Sequence, residues 1–393
     1  MGGVNLKNSG FKALLAGCLA HGIHDGFSDT LYVFFPIWQA QFGLTFAEVG
    51  FLKTIFSGSM AMFQVPAGLI ASRIGEIRLL IIGTILTCLA VMAFGLASTS
   101  IALGIFLFIG GLGESVQHPL SSSLISNAYL DLRSRRTALS TFNVAGDIGK
   151  LVFPGAAALL ISQSDWQTAS KLLAILGLAI TVVIFIVSRK MQATINNSNP
   201  KKSNGMLLSW NGHQAFWSLS TIGIIDSATR MGFLTFFPFL LRDKGAEITT
   251  IGLALTLVFA GGAIGKFVCG ILAIRLGVLR SVIFTEITTA LCIGGMIDFS
   301  LTSALILAPL LGLALNGTSS VLYGSVPELV SEEQCNQAFA LFYTATIGAG
   351  AISPAIYGLL SDAVGIKLTV IIVAVVVLAT IPLTLPLRGK IAH

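Results

Sequence analysis

The 393-residue sequence predicts an all-α membrane protein, with twelve transmembrane helices in two six-helix, pseudo-symmetric halves around a central cavity. Three observations predict it. The composition is 54% hydrophobic and 10% charged. Apolar stretches of about 20 residues recur along the chain, each long enough to cross a hydrocarbon core of about 30 Å as a helix. One set of short motifs also appears twice at a fixed spacing.

Taken in order, the expected spans are 13–40, 46–71, 79–98, 101–129, 138–162, 168–188, 213–241, 248–273, 280–300, 302–327, 335–360 and 366–386. The first could be misread as a signal peptide, because Lys7 and Lys12 precede the apolar run Ala13–Ala20. That run continues through His21, His24, Asp25 and Asp29 without a small-residue cleavage site, so it reads as a retained span. The five cysteines are scattered with no paired spacing, which supports neither a disulfide framework nor a zinc site.

The formal net charge of +6 does not mark a nucleic-acid binder, because the basic residues sit in the connections. On one side fall Lys7, Lys12, Arg73, Arg78, Arg133, Arg135, Arg136, Arg189, Lys190, Lys201, Lys202, Arg275, Arg280, Arg388 and Lys390. The other side has only Lys171, Arg242, Lys244 and Lys367. By the positive-inside rule both termini are expected in the cytoplasm. Lys53, Lys150, Arg230 and Lys266 remain inside the expected spans.

The repeat turns a hydropathy pattern into an architecture. Phe34-Phe35-Pro36 recurs as Phe236-Phe237-Pro238, 202 residues on, and the same offset carries Gly43 to Gly245 and Gly50 to Gly252. It also lays Gly68, Arg73, Gly75 and Arg78 onto Gly270, Arg275, Gly277 and Arg280. Later, Ala138, Phe142 and Pro154 match Ala338, Phe342 and Pro354 at an offset of 200, as a two-residue loop deletion would produce. The longest polar stretch lies between the copies. The expected organisation is therefore a first bundle over 1–188, a cytoplasmic linker over 189–212 and a second bundle over 213–393. Parallel repeats of this kind hold their substrate near the midplane between halves. Gly22 with Gly26 and Gly261 with Gly265 have the small-x-x-x-small spacing of close helix crossings.

Ionisable side chains at membrane depth cost about 2.5 to 3.5 kcal/mol each on insertion scales, so each needs a partner, a wet cavity or a function. His21, Asp25 and Asp29 stand at i, i+4 and i+8 on one face of the first span, with Tyr32 beside them. An imidazole and carboxylates so placed suit coupling to a proton gradient, or a static pair that secures helix packing. Glu114 and His118 repeat the i, i+4 spacing on the fourth span, where Pro119 bends the helix. They are a second proton group or a structural acceptor. On the fifth span Asn143, Asp147 and Lys150 share a face, and Asp147 with Lys150 forms either a permanent ion pair or one that opens for substrate. In the second half, Asp226 and Arg230 correspond to His24 and Ser28, and Lys266 to Gln64, by the 202 offset. A guanidinium cannot be neutralised, so Arg230 reads as an anion-binding group or as the fixed partner of Asp226.

The duplicated Gly-x-x-x-x-Arg-x-Gly-x-x-Arg resembles the loop after the second span of the major facilitator superfamily, which implies a cytoplasmic gate at each copy. Ser72 and Ile274 stand where that family usually has Asp, so the charged latch is not carried over. Within the superfamily, the first half is most similar to the fosmidomycin-resistance group of drug:proton antiporters. The likeness rests on His21-x-x-x-Asp25, on Gly111-Leu-Gly113 with His118-Pro119, and on Ser140-x-Phe142-x-Val144-x-Gly146-x-x-Gly149 with Pro154. Asp147, Lys150 and Phe153 depart from it. The resemblance implies a multi-pass protein of a bacterial inner membrane that works by alternating access, with the first and fourth spans flanking one cavity.

The expected function is proton-coupled export of a small organic molecule, possibly anionic. Uptake of a metabolite such as an organic acid or a metal-chelate is the alternative in the same fold. Proton coupling is assigned to His21, Asp25, Asp29, Glu114 and His118; substrate contact to Tyr32, Asn143, Asp147, Lys150, Asp226, Arg230 and Lys266. The partners expected are a substrate, protons and the lipid bilayer, with no nucleic acid, no cofactor, no metal and a functional monomer. A membrane enzyme or a sensor fits less well, since neither a dedicated nucleophile, a metal cluster nor a soluble output domain is apparent. No ATP-binding loop is present.

Overall fold

The computed structural model describes residues 2–129, 131–189, 214–331 and 334–391. Lys190, Lys201 and Lys202, the side chain of Lys7, and the expected linker beyond Arg189 lie outside the described residues. No strand occurs among the described residues. The helices are α1 (Gly2–Phe42), α2 (Phe46–Ile74), α3 (Glu76–Phe94), α4 (Ser100–Glu114), α5 (Gln117–Ala128), α6 (Leu132–Gln163) and α7 (Trp166–Ser188). They continue with α8 (Gln214–Asp243), α9 (Ile248–Leu276), α10 (Val278–Asp298), α11 (Leu301–Ser325), α12 (Cys335–Val364), α13 (Ile366–Leu378) and α14 (Thr380–Leu383).

Eleven helical segments among the described residues are long and apolar enough to cross a membrane, with α4 and α5 counted as one segment, Ser100–Ala128. They do not include α1, whose apolar run is interrupted by His21, His24, Asp25 and Asp29. The chain is a multi-pass membrane protein. Accordingly, Val65, Ile101, Leu291 and Ile306 stay exposed on helix faces, where lipid replaces water as the solvent.

Contacts divide the chain into two compact units, Met1–Ile195 with Ala246–Thr256 and Asn196–Gly245 with Leu257–His393. The sequence repeat has a backbone counterpart in them. Between α2 and α3, Gly75 takes φ 95° and its N–H caps the Ala71 carbonyl at 2.8 Å. Between α9 and α10, Gly277 takes φ 84° and caps Ala273 at 3.0 Å, each partner 202 residues on. Positive φ with extended ψ is tolerated by glycine and almost nothing else, which is why the duplicated turn holds glycine twice.

The Phe-Phe-Pro copies also share an environment. Phe34 and Phe35 are buried beside Trp38, which meets Trp166 edge-on at 6.0 Å, and the Trp166 indole N–H donates to Gln41 Oε1 at 2.8 Å. Phe236 and Phe237 are buried likewise in α8. The fourth span does more than bend: it breaks after Glu114 and restarts at Gln117. Pro119 lacks the N–H that would bond the Ser115 carbonyl, and Ser115 N–H turns back to Gly111 at 3.0 Å.

Candidate transport site

In the first unit the site is built where α1 crosses α6. Gly149 lets the two backbones touch, since a Cβ there would strike the Gly22 carbonyl. Nearby, Gly146 leaves room for function: a Cβ would sit 2.5 Å from His21 Nε2 and 2.8 Å from Asp25 Oδ2.

Asp25 is the hub of that space. His21 Nε2 lies 3.1 Å from Oδ2, Lys150 Nζ 3.3 Å from the same oxygen, and His118 Nε2 3.7 Å from Oδ1. His118 also meets His21 edge-on at 5.0 Å, and Phe142 stacks on His21 at 4.2 Å. The other ring nitrogen, His21 Nδ1, lies 2.8 Å from the Phe142 carbonyl. A carbonyl only accepts, so Nδ1 carries a proton and donates it. A hydrogen bond at the His21–Asp25 contact then requires a further proton, on either Nε2 or Oδ2. The cluster can therefore hold a proton between two titratable groups, with an ammonium and a second imidazole alongside.

The donor atoms of His21, Asp25 and His118 lie within 4.8 Å of one another, a spacing that ligands to one metal ion could share. Lys150 already brings a positive charge to Asp25. That favours a proton cluster over a cation site.

A second group lies in the same unit. Lys53 is wholly buried, donates to the Ser28 carbonyl at 3.4 Å, and stands over the Tyr32 ring at 4.7 Å from its centroid. Buried Asp29 and Glu114 are within its electrostatic reach. His24 Nε2 donates to Thr84 Oγ1 at 3.0 Å, because the Thr84 hydroxyl proton is spent on the Leu80 carbonyl at 2.8 Å.

The second unit arranges its charges differently. Arg230 Nη1 donates to Ser319 Oγ at 2.7 Å, and Ser319 Oγ donates to Asp226 Oδ2 at 2.9 Å. The hydroxyl thus links guanidinium and carboxylate without a direct bond. Glu286 on α10, fully buried, lies within electrostatic reach of both.

The structure brings His21, Asp25, His118 and Lys150 together, sets Tyr32, Asp29 and Glu114 around Lys53, and joins Asp226 to Arg230 through Ser319. It puts Asn143 and Lys266 at exposed positions and Asp147 at a half-buried one. Where the spacing pointed to Asp147 as the partner of Lys150, the structure sets Lys150 against Asp25, which the spacing did not suggest. The arginines of both gate copies, Arg73, Arg78, Arg275 and Arg280, are exposed. In the first copy, Ser72 donates to its own helix at the Leu69 carbonyl, and Glu76 instead accepts from Ser123 of α5 at 2.5 Å. The second copy has Val278 at that position and cannot repeat the tie. Sequence reasoning named Lys53 only as a basic residue within a span and passed over Glu286 and Ser319. For Glu286 a signal existed, since it stands 202 residues beyond Thr84 as Asp226 stands beyond His24.

Comparison with known proteins gives one consistent result. The family model described as Major Facilitator Superfamily matches residues 17–221 and 219–390. The Fosmidomycin resistance protein of Escherichia coli (strain K12) is 25% identical over 368 residues, covering 91% of this chain and 88% of that protein. The Probable sulfoacetate transporter of Cupriavidus necator is 20% identical over 355 residues, covering 84% and 82%. Among solved structures, a bacterial homologue of the human lysosomal transporter Spinster, inward-facing and unoccupied, matches with a TM-score of 0.79. It is 18% identical and the match covers 95% of this chain and 96% of that one.

Proposed function

The chain belongs to the Major Facilitator Superfamily and is a transporter rather than an enzyme, and on that premise we propose that it exports a small organic anion in exchange for protons, by alternating access. The observation that carries this reading is the His21–Asp25 contact, where an imidazole and a carboxylate stand 3.1 Å apart beside Lys150 and His118. Protonation of that cluster sets the charge facing the transport path, so a pH gradient biases the equilibrium between its accessible states. Arg230, held by a hydroxyl rather than directly by a carboxylate, is the group we assign to substrate charge. Tyr32, Asn143, Asp147, Asp226 and Lys266 are assigned to the lining of the same path.

The proposed layout is twelve spans, α1 with the eleven apolar segments, in bundles 1–188 and 213–393 joined by the linker 189–212. Both termini face the cytoplasm of a bacterial inner membrane, and the monomer is the working unit. Support comes from the backbone repeat at Gly75 and Gly277 and from the relatives. A second reading, proton-coupled uptake of an organic acid, uses the same groups and is favoured by the organic acid named for one relative.

Inside-out membrane vesicles carrying a respiration-driven proton gradient test the proposal. Fosmidomycin and sulfoacetate are added in turn while a pH-sensitive dye reports the gradient. Dissipation that depends on the protein and is lost in Asp25→Asn is the expected result. Substrate movement that ignores the gradient, in vesicles of either orientation, contradicts proton coupling.

A further inference from the structure

In the second unit, positions 226 and 286 stand 202 residues beyond His24 and Thr84, in the register that also relates α9 to α2 and α10 to α3. In the first unit that pair is one neutral hydrogen bond, His24 to Thr84 at 3.0 Å. In the second, both positions are carboxylates. Asp226 is 4% exposed and Glu286 1%. Asp226 accepts from Ser319, whereas Glu286 Oε1 has no hydrogen-bond partner. Buried hydroxyls of Thr229, three residues after Asp226, and Thr289, three after Glu286, are likewise without partners. Thr318 donates to Thr285 at 2.7 Å beside them.

The charges do not balance without a proton. Arg230 supplies one permanent positive charge against two buried carboxylates. The other elements packed on α10 add none at depth: α11 and α14 carry no charged residue, and α13 has only Lys367, exposed at its start. On α8, Arg242 and Asp243 lie at the far end, and on α9 both Lys266 and Arg275 are exposed. On α12, packed against α8, the charged residue is Asp362, exposed near its end, and the Cys269 thiol within reach of Asp226 is neutral when protonated.

We propose that Glu286 and Asp226 share one exchangeable proton, which makes the second unit a proton site independent of Asp25. The proposal builds on the transporter reading but does not need its substrate. Each unit then contributes a protonatable carboxylate to the cycle. The unpartnered Oε1, with the unpartnered buried hydroxyls of Thr229 and Thr289, leaves hydrogen-bonding capacity at depth for such a proton.

Infrared difference spectroscopy on the purified full chain in lipid nanodiscs tests this without a ligand. The spectrum of wild type minus Glu286→Gln should contain a protonated-carboxyl C=O band that bleaches as the pH is raised. Asp226→Asn should lose the same band, because one carboxylate then balances one guanidinium, and it serves as the second variant if Glu286→Gln does not fold. Asp25→Asn should keep the band, which separates this site from the one in the first unit. A band absent from both difference spectra overturns the proposal. So does one that persists unchanged across the titration, since it would mark a structural proton that never exchanges.

Discussion

In the first unit, three side chains able to carry positive charge converge on Asp25, from α1, α5 and α6. In the second, one hydroxyl strings Asp226 to Arg230 while a further carboxylate stands without a hydrogen bond on one oxygen. The two units share one kind of backbone turn, at Gly75 and at Gly277, 202 residues apart. The glycines that the turns require thus recur 202 residues on, while the polar positions do not. Around Asp25 the first unit has an excess of groups able to hold positive charge, whereas Arg230 in the second, like Lys53 in the first, has two buried carboxylates within reach.

The largest expected effect is at the hub. Asp25→Ala leaves Lys150 and two imidazoles without their carboxylate and should abolish pH-driven transport while costing about 3 kcal/mol of stability, read by thermal unfolding in detergent. Next comes Gly146→Ala, which adds no charge but pushes a methyl group against His21 and Asp25. Overpacking of this kind costs about 1 to 3 kcal/mol, and transport should lose its pH response before the fold is lost. If Gly146→Ala transports with an unchanged pH profile, the tight packing of that contact is unimportant. In the second unit, Ser319→Ala strips the hydroxyl between Arg230 and Asp226 and should cost about 1 to 3 kcal/mol as the two are left without it. Its effect on transport should appear as altered apparent affinity for anionic substrates, while the pH-driven component that depends on Asp25 is retained.

The smallest effect separates the units by their helix caps. Asp131 and Asp165 accept the N–H groups of Ser134 and Thr168 at the starts of α6 and α7, and those backbone hydrogen bonds hold both carboxyls below the usual carboxylate range. Gln334 and Gly365 at the starts of α12 and α13 make no side-chain cap. With folded values depressed, the cap contribution is full above the unfolded pKa of about 3.9 and is lost as pH falls through the folded value. Asp131→Ala with Asp165→Ala should therefore lower Tm slightly at neutral pH, and the difference from wild type should shrink in acid. No comparable pH-dependent difference is expected from Gln334→Ala.

How legible each part was in the sequence follows from the range of the interactions. His21 and Asp25 are neighbours on one helix, so their spacing alone places them together, and the duplicated glycine turns are local as well. The approach of His118 and Lys150 to Asp25 depends on how α5 and α6 pack on α1, which no spacing within one helix encodes. Lys53 was visible as a basic residue within a span, but its position over Tyr32 required the packing of α2 on α1. Glu286 is a lone acid among threonines, unremarkable in α10 until the repeat aligns it with Thr84.

The central claim is that proton coupling resides in the contact between His21 and Asp25. Proteoliposomes loaded with whichever anion the vesicle assay identifies can be measured twice, for exchange at equal pH and for movement driven by a pH step. In Asp25→Asn the account predicts that exchange continues and the pH-driven component disappears. An undiminished response to the pH step in that variant, with the protein folded and exchanging, would contradict it.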